Sequence, residues 1–138
     1  RFGDKGGLAF ALLDERERQF QEQMLYGTPP LGPGAPPDDR LVAFVEGYVR
    51  LVIANIDLIE LSETNAPGAR FRTGAYGLWT SHCRLLLADA GAADPGLRAE
   101  LLLAAMSAEQ VRFWLEERRH SDEYLVRALA AAAISLTR

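Results

Sequence analysis

Between Leu41 and Ile56 the chain is apolar on almost every turn of a helix. Leu41, Phe44, Val45, Tyr48, Leu51 and Val52 form one wide stripe at helical spacing, and Val42, Val49, Ile53 and Ile56 widen it. A helix apolar over so much of its surface has to be surrounded by other elements. Those elements must also be helices. No segment alternates β-branched with polar residues for long enough to read as a strand. The expected fold class is therefore all-α, a helical domain with about six helices.

The punctuation sets the boundaries of the helices. The first is expected from about Asp4, a candidate N-cap, to Tyr26, with Leu8, Leu12, Phe20 and Met24 on its apolar side and Gly27 ending it. Gly6 and Gly7 weaken its first turn. Thr28 to Pro37 holds five prolines in ten residues, which cannot continue a helix and reads as a surface loop. The second helix starts near Asp38 or Asp39, acids suited to a helix N-terminus. It breaks near Asn55 to Asp57, before a short third helix through Leu58, Ile59 and Leu61. Asn65-Ala66-Pro67-Gly68 is a stop signal. The fourth helix is expected from about Ala69 to Ala90, and the fifth from an Asp94 cap and Pro95 to about Arg119. The sixth is capped by Ser121 and runs to the C-terminus.

The last two helices carry matching stripes. One holds Leu97, Leu101, Ala104, Ala108, Val111 and Leu115; the other holds Leu125, Leu129, Ala132 and Leu136, with Ala128 and Ala130–Ala133 narrowing its surface. Small residues and heptad-like spacing suit close antiparallel packing. The stripes either face the core of their own subunit or meet a two-fold copy in a four-helix interface.

With 138 residues, 49% hydrophobic and 25% charged, one globular domain with a real core is expected. The net charge of −4, from 15 basic and 19 acidic residues, offers no basic patch to a phosphate backbone. The single cysteine, Cys83, excludes an internal disulfide and fits a reducing cytoplasm. No apolar run is long enough to span a membrane, and no signal-peptide pattern is present. The chain opens on Arg1 rather than Met, which leads to the expectation of a fragment of a longer protein.

Catalytic and metal signatures are missing from the sequence, so neither an enzyme nor a cofactor is expected. Glu117-Arg118-Arg119-His120 has the Glu-x-x-His spacing of ferritin-like sites, but the second motif such a site needs does not occur. There is no phosphate loop, no His-Glu-x-x-His and no Gly-x-Ser-x-Gly. His82 and Cys83 are neighbours in sequence, yet adjacent residues on a helix do not face each other, so they do not make a nucleophile and its base. His82 lies on an apolar stripe, either as a satisfied core residue or as a polar anchor in a cavity. The aromatics Phe44, Tyr48, Phe71, Tyr76, Trp79, Phe113 and Trp114 cluster in the middle helices, with Met24 and Met106. They suit either plain core packing or an aromatic-lined cavity for a lipophilic ligand, with Asn55, His82, Glu109 and Gln110 as its polar groups.

Arg1-Phe2-Gly3-Asp4-Lys5-Gly6-Gly7-Leu8 resembles the end of the DNA-binding domain of TetR-family transcriptional regulators. There an aromatic pair is followed by Gly-x-Lys-x-x-Leu, matched by Phe2, Gly3, Lys5 and Leu8. Beyond Leu8, the order of elements is similar to the C-terminal half of that family. It comprises a long linking helix, a Pro/Gly-rich loop, the Leu41–Tyr48 helix, a short segment, a long aromatic helix and two final helices.

The resemblance implies that residues 1–138 are an effector-binding and dimerisation domain. Residues 1–8 would be the tail of a helix-turn-helix lying upstream, and Lys5 a contact to operator phosphate. It implies a homodimer, through Leu97, Leu101, Ala108, Leu115, Leu125, Ala128, Leu129, Ala132 and Leu136. It also implies a small-molecule effector; whole-turn spacing of the apolar residues places its cavity between the first, second, fourth and fifth helices, and their mix makes the ligand largely apolar. Its expected lining is drawn from Phe20, Met24, Phe44, Tyr48, Tyr76, Trp79, His82, Met106, Gln110 and Phe113. An inward Glu109 would favour a cation. Effector binding would shift the first helix and change the spacing of two DNA-reading heads. The competing readings are a small helical carrier or enzyme without a helix-turn-helix, and an interaction module with no ligand.

Overall fold

The computed structural model describes residues 3–138, with side chains from Gly6 onward. Every regular element among the described residues is helical: α1 (Gly3–Tyr26), α2 (Pro37–Ala54), α3 (Ile56–Thr64), a 3-10 turn (Ala69–Arg72), α4 (Gly74–Asp89), α5 (Pro95–Ala105), α6 (Ala108–Glu116) and α7 (Asp122–Ser135). No described helix is long and apolar enough to cross a membrane. The fold is all-α, as the periodicity leads one to expect.

The wide stripe makes α2 the centre of the molecule. Leu41, Phe44, Val45, Tyr48, Val49 and Val52 are all buried, and α2 touches α1, α3, α4, α6 and, most extensively, α7. Burying each such side chain is worth about 1.5–3 kcal/mol. Phe20 of α1, Phe44 and Tyr48 of α2 and Trp79 of α4 interlock, with ring centroids 6.0 Å (Phe20–Phe44), 5.9 Å (Phe44–Tyr48), 5.5 Å (Tyr48–Trp79) and 5.6 Å (Phe20–Trp79) apart. Gly47 is what allows α1 this close. A Cβ added there would lie 2.5 Å from the Phe20 ring.

Three details differ from the sequence expectation. First, the face that α1 buries is Leu13, Phe20 and Met24, with Phe10 partly buried, while Leu8 and Leu12 are exposed. At about 100° per residue, Leu12 stands about 80° round the helix from Phe20, whereas Leu13 lies within about 20° of it. The helix is also already formed at Gly3, so Asp4 lies inside it rather than capping it.

Second, the expected fourth helix is two elements. Gly68 has φ +73°, the 3-10 turn comes next, and Thr73 then caps α4, its hydroxyl oxygen accepting the Tyr76 N–H at 3.1 Å.

Third, the expected fifth helix breaks at Met106–Ser107. The Ser107 hydroxyl accepts the Gln110 N–H at 3.2 Å, and a Glu63 carboxylate oxygen accepts the Ala108 N–H at 3.0 Å. Two acceptors on one first turn start a new helix there. Pro95 opens α5 as expected, but Asp94 makes no side-chain cap and sits at φ 47°. Ser121 caps α7 through the Tyr124 N–H, at 3.1 Å.

Arginines tie the ends together. Arg40 donates to the Met24 carbonyl at the C-terminus of α1 (2.8 Å), and Arg98 to the Leu136 carbonyl at the end of α7 (2.9 Å). Arg16 of α1 donates to the side-chain oxygen of buried Asn55 (2.6 Å), which itself donates to the Leu51 carbonyl (2.9 Å). Asn55 thus fixes the α2–α3 bend instead of lining a cavity.

Candidate functional site

A cavity of about 350 Å³ lies between α1, α2, α3, the 3-10 turn and α4. That is enough for a compact organic ligand. Tyr48 of α2, Ile59 of α3, Trp79 of α4 and Leu13 of α1 give it an apolar base. Phe10, Asp14, Glu17, Arg18 and Gln21 wall one side from α1, and Ser62, Glu63, Arg70, Thr73, Ala75 and Tyr76 wall the other. Residues 10, 14, 17, 18 and 21 recur at three- and four-residue steps, so they share one side of α1.

The far wall is braced by a buried ion pair. Arg70 Nε donates to a Glu63 carboxylate oxygen at 3.1 Å, with side chains only 10% and 9% exposed. Arg70 also donates to the Leu103 carbonyl at 2.6 Å, and its guanidinium carbon lies 4.9 Å from the centroid of the Tyr76 ring. The other Glu63 oxygen takes the Ala108 N–H. Both charges are met by several partners, which a buried pair needs in order to offset its desolvation. The result is a rigid wall linking α3, the 3-10 turn, α4 and the start of α6.

The α1 wall is different. Arg18 is bound along its own helix by Glu15 (2.6 Å) and Glu22. Asp14 and Glu17 have no hydrogen-bond or ion-pair partner among the described residues. Burial pushes the Glu17 carboxyl up to about 7, helped by the negative charges of Asp14 and Glu63. Burial also raises the Tyr48 hydroxyl, against the opposing pull of Arg70.

Of the ten residues expected to line the site, Tyr48, Tyr76 and Trp79 do. Phe20, Met24, Phe44 and His82 lie behind them in close-packed core, where His82 meets the Phe44 ring edge-on with centroids 5.4 Å apart. Burial, with Arg40 nearby, pushes the His82 imidazole down to about 4, and its Nε2 finds no partner among the described residues. Met106 is fully buried at the α5–α6 break, which turns Gln110 and Phe113 onto the separate helix α6. There Phe113 is exposed beneath the Arg118 guanidinium, 4.8 Å from its ring centroid. Glu109 is exposed. The cavity wall expected from the fifth helix is supplied by α3 and the 3-10 turn instead.

Asp14, Glu17, Gln21, Glu63 and Arg70 were not singled out from the sequence. A signal for Glu17 exists: Leu13, Glu17, Phe20 and Met24 step by four, three and four, which makes Glu17 a charge interrupting the apolar stripe of α1.

Other expectations fall out differently. Lys5, assigned to operator phosphate, lies outside the residues whose side chains are described. Leu125 and Leu129 are buried with Ala130 and Ala133 on the face of α7 that packs on α2, and Ala108 is buried in the same core. Leu115 and Leu136 are half-buried, whereas Leu97 and Leu101 of α5 are 56% and 54% exposed, and Ala128 and Ala132 of α7 face outward. The nine residues therefore divide between the interior and the surface. Burial pushes the Cys83 thiol up to about 12, which leaves it unreactive. His120 is taken up by the Tyr124 ring, at 4.8 Å between centroids. Among the described residues no three of His, Cys, Asp and Glu come close enough together to hold a metal ion.

No family model, curated protein or solved structure matches this chain.

Proposed function

We propose that this chain is the effector-binding and dimerisation domain of a ligand-responsive transcriptional regulator of the TetR type, working in the cytoplasm as a homodimer. The observation that carries the reading is the position of the cavity. One whole side of it is α1, the helix whose N-terminal residues Gly3, Lys5 and Leu8 resemble the junction to a DNA-reading head.

The way α1 is held supports a lever. Its C-terminal half is fixed by Phe20 against Gly47 and by Arg40 on the Met24 carbonyl. Leu8 and Leu12 near its other end are exposed. A ligand pressing on Asp14 and Glu17 acts N-terminal to the Phe20 anchorage, against the hold of buried Leu13 and of Arg16 on Asn55. From buried Leu13 to Gly3 the helix extends about 15 Å, so a small tilt moves the far end by ångströms. A ligand that prefers one tilt shifts the population towards it. The outward Leu97 and Leu101 of α5 and Ala128 and Ala132 of α7 supply apolar surface for the two-fold partner.

The test uses the full-length gene product and the DNA upstream of its own gene. Fluorescence anisotropy should show binding that a cavity ligand changes by about tenfold or more, the usual scale of coupling between sites. Ala75→Phe, which fills the cavity, should leave DNA binding intact and abolish the ligand response. A full-length protein without affinity for DNA, or an Ala75→Phe variant that responds normally, would overturn the reading.

A further inference from the structure

The charges lining the cavity do not cancel. Both lining cations are already engaged, Arg70 by Glu63 and Arg18 by Glu15 and Glu22. Asp14 and Glu17 remain as carboxyl groups without partners among the described residues, on the wall opposite the Tyr76 side. Glu17 is half-buried. The groups facing it are Asp14 and Arg18 on its own helix, Tyr48 on α2, Glu63 on α3, Arg70 on the 3-10 turn and Tyr76 on α4. Arg70 is the only cation among those on the other elements, and Glu63 holds it. An anion entering here would meet no unengaged cation among the described lining residues, whereas an ammonium would meet carboxyl groups able to ionise against it, next to aromatic rings.

We propose that the cavity is selective for an organic monocation, an amine on a compact aromatic or apolar body, with Glu17 as its counter-charge and Tyr48 and Trp79 as its apolar seat. The inference rests on the cavity being the effector site and adds the chemical class of the effector. It also explains why a carboxyl is tolerated on the buried stripe of α1. Without ligand Glu17 holds its proton up to about pH 7; with an ammonium beside it the proton leaves.

The test is one apolar body in three charge states: 1-naphthylmethylamine, 1-naphthylmethanol and 1-naphthoate, titrated calorimetrically into the protein. The amine should bind about tenfold or more tighter than the alcohol, and the naphthoate weakest of the three. At pH 6.5, titration of the amine in buffers of different ionisation enthalpy should reveal proton release, and its affinity should rise between pH 6 and 8. Glu17→Gln, isosteric and uncharged, should bring amine and alcohol to within about twofold of each other and abolish the proton release. Equal or tighter binding of the alcohol or the naphthoate overturns the charge selectivity and leaves the regulator reading intact. Failure of all three to bind overturns the proposed amine site. Amine binding with the expected signature, but without effect on DNA affinity of the full-length protein, supports the selectivity and sinks the regulator reading.

Discussion

Glu17 and His82 are both held in the form that carries no charge, and their effects on stability oppose each other. The folded-state pKa of Glu17 is raised from 4.5 to about 7. From pH 4.5 upward the unfolded chain therefore loses that proton before the native one does, and this contribution declines as pH rises towards about 7. His82 is lowered from 6.5 to about 4. Its contribution is complete above pH 6.5 and is lost as pH falls towards about 4. In urea denaturation across pH 4.5–7, Glu17→Gln should gain stability relative to the parent as pH rises, because only the His82 slope remains. A stability difference between the two proteins that stays flat over that range would contradict the assignment. Gly47 gives a second prediction at this scale. Gly47→Ala should gain up to about 1 kcal/mol in helix propensity but lose about 1–3 kcal/mol by forcing Phe20 aside, a net destabilisation measurable by the same titration. A stabilised variant would show that α1 is not seated on α2 as described.

At the scale of elements, the helices were legible because each buries one face at a helical period, and α2 declared itself central by the width of its apolar stripe, six residues of which are buried. The α5–α6 break was not, because the stripe from Leu97 to Leu115 continues across it. The local signal was Ser107-x-x-Gln110, a capping-box spacing inside an apolar pattern. Glu63, distant in sequence, completes that break from α3, and no local rule reveals such a partner. Ser107→Ala should cost about 0.5–2 kcal/mol. Glu63→Ala should cost more, about 3–5 kcal/mol, because it leaves Arg70 as an uncompensated buried charge as well as uncapping α6. Thermal denaturation ranks the two, and a milder effect for Glu63→Ala would mean that the Arg70 wall does not brace the cavity. Only three of the expected lining residues reached the cavity for a related reason. Periodicity reports which residues turn inward, but close packing of Phe20, Phe44 and Trp79 decides where the interior is filled and where a space is left. Of the charged residues of α1 that border that space, Asp14 and Arg18 are exposed and read as solvent-facing, and only Glu17 interrupts the apolar stripe.

For the whole molecule, the outward apolar residues bear on assembly. Exposed Leu97 and Leu101 on α5 and the small residues Ala128 and Ala132 on α7 are the surface on which the proposed homodimer depends. Ala132→Arg and Leu101→Glu should shift sedimentation from dimer to monomer without unfolding, since neither side chain supports the core. Variants that sediment as the parent dimer would place the interface elsewhere. The division of the stripe of α7, with Leu125 and Leu129 inside and Ala128 and Ala132 outside, explains why periodicity alone left both readings open.

The central claim, that the cavity couples a bound ligand to α1, is tested most directly by amide hydrogen exchange with and without 1-naphthylmethylamine. Predicted is protection along α1 between Phe10 and Gln21, together with Ser62–Glu63 and Arg70–Tyr76, and unchanged exchange in α7. Protection confined to α5 to α7, or α1 exchange that the ligand leaves unchanged despite binding, would contradict it.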